Sequence, residues 1–286
     1  MHYRFIRFPE GKAKAVTFNY DDGAKQDLRL VKIFNQYGMK GTFNLNGDKF
    51  RQDSGITKEE VEEFMLSKGH EIAVHGYYHK AEGACRPIEG IREVLECRME
   101  MEQKYGRIIR GMAYPDSGIT KFFGDATYES VRQYLKDLDI VYSRTLGGDN
   151  NSFMLPTDWY SWMPTAHHDN PQLLDWIDEF VNMNVEEQYS ARKYGKLCYI
   201  WGHSFEFDRK DNWDRIETIC RKFAEAKGIW FATNMEIYEY AQAYNSLVYS
   251  ADETMVYNPT LIKVWFDFDG KLYSVAPGET IRVEVK

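Results

Sequence analysis

Four short stretches carry the residues whose types and spacing can do chemistry. In the first, "AVTFNYDDGAK", an apolar and β-branched run ends in two adjacent carboxylates, Asp21 and Asp22, followed by Gly23. Neighbouring carboxylates repel, and burying either one alone is expensive, so the pair requires a cation, a donor network or open water. The second stretch, "HEIAVHGYYH", holds His75 and His79 at an H-x-x-x-H spacing, which puts both rings on one side of the backbone if the chain turns helically after the strand. In a chain with seven histidines such a pair is a weak signal by itself. It gains weight from a carboxylate on the same rim, because two imidazoles plus one carboxylate leave positions open for water, as in a catalytic divalent-metal site. Asp22 is a candidate for that carboxylate. If one aspartate of the pair binds the metal, its neighbour can stay ionised beside the same charge and accept a proton from the activated water.

The third stretch, "IWGHSFEFD", ends an apolar run at His203, with Glu206 and Asp208 close by as acids that could orient it. A histidine across the rim from the base can protonate the nitrogen that leaves an amide. The fourth, "PTDWYSWMPTAHH", places Asp158, Trp159 and a second tryptophan in an irregular segment, where aromatics either line a sugar-binding cleft or pack against the core.

Elements that could position these groups alternate along the chain. "KAVTFNY", "GTFNL", "EIAVHG", "GMAYPDSG", "IVYSRT", "KLCYIWGH" and "IWFATN" read as strands, each followed by an amphipathic helical run. Leu28, Val31, Phe34 and Tyr37 form the apolar stripe of the first helix, which Gly38 ends, and Thr57 with Glu60 makes a capping box at the next. Seven βα units without a glycine-rich dinucleotide loop after the first strand favour a closed α/β barrel over an open doubly wound sheet. In a parallel barrel functional groups gather at the C-terminal ends of the strands, which here bear Asp21 and Asp22, His75 and His79, Asp116, Arg144 and His203. From Leu247 onward alternating residues with "DG" and "PGE" turns predict a few antiparallel strands. The expected division is a barrel over residues 1–246 and a small β-rich appendage over 247–286.

The 286 residues, 43% hydrophobic and 15% aromatic, suffice for a large core. A net charge of -8 and a pI near 5.5 argue against nucleic acid or an anionic membrane as partner and favour a neutral ligand. Cys85, Cys97, Cys198 and Cys220 lack metal-site or disulfide-framework spacing and read as reduced, packed thiols. "MHYRFIRFPEGKAK" has no export-signal pattern and no apolar run is long enough to span a bilayer, so a cytoplasmic location is expected, with the oligomeric state open.

In order and spacing, "TFNYDDG", "HGYYH", "AYPDSG", "TDW" and "WGH" resemble the five motifs of the polysaccharide deacetylases of carbohydrate esterase family 4, over roughly residues 10 to 240. The resemblance implies a distorted (β/α)7 barrel that hydrolyses an N-acetyl amide, or less often an O-acetyl ester, of a sugar or oligosaccharide. It implies Asp21 as general base and His203 as general acid, with Asp22, His75 and His79 as ligands of a divalent ion, zinc before cobalt, nickel or manganese. It further implies Asp158 as the group that orients His203, and Trp159 as a wall of the acetyl pocket. Tyr114 and Asp116 join Trp159, Trp201 and Arg144 as expected substrate-site residues. Three positions depart from the family pattern. Ala113 stands where an arginine normally tethers the catalytic aspartate, and Arg144 on the next strand is the candidate substitute. Asp116 stands in place of a tyrosine whose backbone N–H serves the oxyanion, and Trp201 in place of a leucine, reshaping the acyl pocket. Hydrolysis of a non-sugar amide, and sugar binding without catalysis, are the competing expectations.

Overall fold

A computed structural model describes residues 2–51 and 55–285, so Met1 and Lys286, the outer limits of the two expected units, lie outside the described residues. In chain order the strands are β1 (Arg4–Arg7), β2 (Lys14–Tyr20), β3 (Gly41–Leu45), β4 (Glu71–Val74), β5 (Gly111–Ala113), β6 (Tyr142–Arg144), β7 (Ala166–His167), β8 (Lys196–Gly202), β9 (Ile229–Phe231), β10 (Val248–Tyr249), β11 (Met255–Tyr257), β12 (Val264–Phe268), β13 (Lys271–Val275) and β14 (Thr280–Arg282).

The central sheet is parallel, in the order β6-β5-β4-β3-β2-β8-β7. Every residue of β2 is buried, as a continuous apolar run covered on both faces demands. The two ends of that order meet at Trp162, whose N–H donates to the Ser143 carbonyl while its own carbonyl accepts from Thr145 N–H, so the seven strands curl into a distorted (β/α)7 barrel. The stretch "IWFATN" forms β9 rather than one of those seven. β8 runs along one whole edge of β2, and the other edge is shared, its first half by β9 and its second by β3. The seventh barrel strand is instead β7, two residues long and set in the segment that reads as irregular.

Helices pack around this sheet. The first, Asp27–Tyr37, buries Leu30, Val31, Ile33 and Phe34, and Phe34 meets Phe18 of β2 at 4.7 Å between ring centroids. Leu28 and Tyr37 lie at its margin, partly buried, so the apolar face is rotated slightly from the expected stripe. Gly38 ends the helix at φ 69, and Thr57 and Glu60 form the expected capping box. All four cysteines are free, three of them buried. Among the described residues no helix is long and apolar enough to cross a membrane.

Two small antiparallel sheets follow, β1-β12-β13 and β10-β11-β14. Asp269 and Gly270, at φ 48 and φ 83, make the tight turn between β12 and β13, the two-residue hairpin geometry that "DG" signals. The sheet also recruits the start of the chain, because β1 pairs with β12 from Arg4 opposite Phe268 to Arg7 opposite Trp265.

Candidate active site

The C-terminal ends of β2, β3, β4, β6 and β8 converge on one group of side chains. Asp21, next after β2, is almost fully buried and fixed from several sides. Arg144 Nη2 lies 2.5 Å from its Oδ2, Asn44 Nδ2 donates to its Oδ1 at 2.7 Å, and the Nε2 atoms of His75 and His203 stand 3.8 and 3.9 Å from Oδ2. Burial by itself would raise the pKa of this carboxyl, but Arg144 foremost, then His75, His203 and Asn44, hold it below its ordinary value. Asp21 is therefore ionised at neutral pH although it is out of contact with solvent.

Asp22 has different surroundings. Its Oδ1 is buried without a hydrogen-bond partner and faces His75 Nε2 at 3.5 Å and His79 Nε2 at 3.4 Å. His75 Nδ1 lies 2.9 Å from the Ala113 carbonyl, which has only acceptor capacity, so Nδ1 carries the proton and the Nε2 lone pair points at Asp22. The His79 ring lies flat against Phe50, with centroids 5.3 Å apart. One ligand atom from each of Asp22, His75 and His79 lies within 4.8 Å of the others. An orphaned carboxylate oxygen facing two imidazole nitrogens, one of them a lone pair, fits a small divalent cation. The backbone is distorted to build this arrangement, since Asp22 sits at φ 78 and His79 at φ 58, in the left-handed region that non-glycine residues enter at a cost of roughly 1–3 kcal/mol.

Arg144 reaches Asp21 from the neighbouring position in the sheet. Ala113 and Arg144 are register partners across β5 and β6, so the guanidinium reaches Asp21 from one strand beyond Ala113. The Trp201 ring covers it, with Arg144 Cζ 4.3 Å from the ring centroid, and Trp201 in turn meets His203 at 5.8 Å. This sandwich is a cation–π contact in a dry environment, and it commits Trp201 to the wall between Arg144 and His203.

Residues 9–142 match the family model described as polysaccharide deacetylase. The matched span runs from β2 to the start of β6 and carries Asp21, Asp22, His75 and His79. No curated protein matches the chain. Among solved structures, a Mycobacterium smegmatis protein provisionally named a polysaccharide deacetylase superposes with a TM-score of 0.59 at 17% identity, covering 86% of this chain and 96% of its own. A mutant form of the peptidoglycan deacetylase PdaC from Bacillus subtilis gives 0.50 at 14% identity, covering 82% and 94%. At such identities these likenesses establish the shared fold.

Several side chains that the deacetylase motifs single out lie elsewhere. Asp158 is not brought to His203. Its Oδ1 accepts from Tyr160 N–H at the start of the short turn Trp159–Ser161, and its Oδ2 takes Tyr128 Oη at 2.5 Å and Arg132 at 3.5 Å. Trp159 packs edge-on against Trp162 and Tyr238 of the helix Asn234–Asn245, in a core cluster rather than beside Trp201. Tyr114 is buried, donates its hydroxyl to the Tyr160 carbonyl and its N–H to the Arg144 carbonyl, so it props β5 against the outer turn and presents no group to a ligand. Asp116 is exposed beyond β5 at φ 51. Asp208, the other acid near His203 in sequence, is occupied by Trp213 Nε1 at 2.7 Å and by Gln26 at 2.8 Å.

The structure also adds groups that the motifs do not name. Asn44 is one, and a reading of inward positions on β3 would have found it. Asp27 is another. It is fully buried, accepts from Ser204 Oγ at 2.5 Å, and is pushed up to about 8 chiefly by burial, so at neutral pH it is largely a neutral acid tying the first loop to the turn after His203. Glu206, one of the two acids the sequence offers for orienting His203, stands beside it, and His167 and His168 are the third addition.

Proposed function

We propose that this chain is a metal-dependent deacetylase that hydrolyses the N-acetyl amide of an acetylated sugar or oligosaccharide. The observation that carries the reading is a buried aspartate kept ionised by Arg144, next to an aspartate whose orphaned oxygen faces two imidazoles. Asp22, His75 and His79 would hold a divalent ion, zinc being the choice that suits two nitrogens and one carboxylate. When bound, such an ion supplies Lewis acidity to the acyl oxygen and eases deprotonation of water.

The remaining work falls to the chain's own side chains. Asp21 Oδ2 takes the proton of the attacking water as its oxygen bonds to the acyl carbon. His203, on the other side of the pair with Nε2 3.9 Å from both Asp21 and Asp22, gives a proton to the nitrogen as the carbon–nitrogen bond breaks, leaving acetate and an amine. Trp201, stacked on Arg144 and next to His203, would bound the acyl group.

Acetate release from N-acetylglucosamine and its oligomers, by metal-loaded and by chelator-stripped protein, tests this. Release that requires metal is the expected result. If metal-loaded protein releases none while binding the same sugars, the non-catalytic reading replaces it. If it instead cleaves small or cyclic amides, the substrate class is overturned.

A further inference from the structure

The end of β7 and the first turn after β8 bring one carboxylate and three imidazoles together. Glu206 follows His203 by three residues and lies in the helix Phe205–Lys210, so its side chain leans back over the preceding turn. Its Oε1 is 3.6 Å from His203 Nδ1, and its Oε2 is 3.0 Å from His167 Nε2 and 3.2 Å from His168 Nε2. The backbone N–H of His203 also points at Oε2, at 3.4 Å.

Local bonds decide which nitrogens are donors. Asp169 N–H donates to His167 Nδ1 at 3.2 Å, so that nitrogen is an acceptor and His167 Nε2 carries the proton that faces Glu206. His168 is fully buried, with Nδ1 pressed against Gly202, where an added Cβ would stand 2.0 Å away. Its Nε2 faces Glu206 and, at 3.3 Å, Asp169. The His167 donor thus faces Oε2, with His168 Nε2 beside it, and Oε1 turns toward His203 Nδ1; His168 Nε2 and His203 Nδ1 are both buried nitrogens without a hydrogen-bond partner. Donor–acceptor distances of this kind shorten when substrate completes a site.

We propose that Glu206, held by His167 with His168 packed beside it, is the positioning residue for His203. The proposal rests on the reading of His203 as the acid. A carboxylate at Nδ1 fixes that nitrogen as the protonated one and aims Nε2 at the reacting atoms, as the outer carboxylate does for a metal ligand or a catalytic imidazole. Donor atoms of His167, His168, Asp169 and Glu206 also lie within 4.8 Å of one another, the spacing of a metal site. The protonated His167 Nε2 and the pairing of Asp169 with Lys210 mark this group as a hydrogen-bonded clamp instead.

The test uses the full chain carrying Glu206→Gln or Glu206→Asp, with His203→Ala as the partner in a double-mutant cycle. Glu206→Gln is expected to lower kcat by roughly 10- to 100-fold with KM and bound metal unchanged, and Glu206→Asp to recover part of the loss. Added to His203→Ala, it is expected to cost nothing more. Nitrogen-15 NMR of the His203 ring reads the same contact without turnover, with Nδ1–H dominant in the unaltered protein and lost in Glu206→Ala, which removes the acceptor altogether. If no substrate is ever turned over, the deacetylase reading fails while this spectrum still decides the role of Glu206. An unchanged His203 tautomer in Glu206→Ala, a further loss in the double variant, or a fall in bound metal on Glu206→Gln would each overturn the proposal.

Discussion

Replacing Asp22 with alanine removes the one carboxylate that faces both His75 and His79, so bound metal and turnover should vanish together. Asp21→Asn should behave differently, keeping the metal and losing about 10²- to 10⁴-fold in kcat, because only the proton acceptor is gone. Metal content measured beside kcat separates the two, and the reverse pattern would exchange their roles. Arg144→Met probes the same site through stability. It leaves Asp21 buried without its cation, at a cost of about 3–5 kcal/mol, and burial then drives the carboxyl toward its protonated, inactive form. Combining it with Asp21→Asn removes both charges and should recover much of that stability in a denaturant titration. The importance of Arg144 was legible in the sequence, since a strand-end arginine stood next to a motif missing its own. That it lies directly across from Ala113 follows from sheet register, which spacing along one strand does not encode. For His203 the motif position pointed to Asp158, whereas the helical three-residue interval to Glu206 pointed to the acid that is in contact.

The elements were legible where they are long and periodic. β2, β8 and the helices declared themselves by burial pattern, but β7 has two residues and cannot show a period, and β1 finds its partner more than 250 residues away. His70 shows how one side chain locks such elements together. Gly41 N–H at the head of β3 donates to its Nδ1 at 3.0 Å, and Asn35 Oδ1, in the first helix, lies 3.1 Å from Nε2. Burial above all, and then Lys40, lowers its pKa from 6.5 to about 4. The folded state therefore binds fewer protons here than the unfolded chain between those values. Stability from this group is whole above pH 6.5 and drains away as the pH falls toward 4, by about 3 kcal/mol at 1.36 kcal/mol per pH unit. His70→Gln should flatten that part of the stability curve in urea titrations at pH 7, 5.5 and 4.5. An unaltered slope would show that His70 already takes up its proton in the fold.

At the scale of the molecule, the small sheets bind the two ends of the chain to the barrel. Tyr240, in the helix Asn234–Asn245, donates its hydroxyl to the Arg7 carbonyl of β1 and accepts from Trp265 N–H of β12. Arg7 is buried, with Asp267 of β12 3.6 Å away and Glu186 at 2.9 Å. A chain ending at Leu247 would strip β1 of its ladder and bare the buried faces of Ile6, Ala243 and Leu247. Exposing two large apolar side chains costs about 3 kcal/mol or more, so the truncated protein should melt several degrees lower. The groups of the candidate site hang from the ends of β2, β4, β6 and β8, and among the described residues none of them is bonded to the tail. The truncated protein that remains folded should therefore keep its KM. A raised KM with an unshifted melting temperature would mean that the tail touches substrate rather than bracing the barrel, and the two measurements on one variant distinguish a brace from a binding surface.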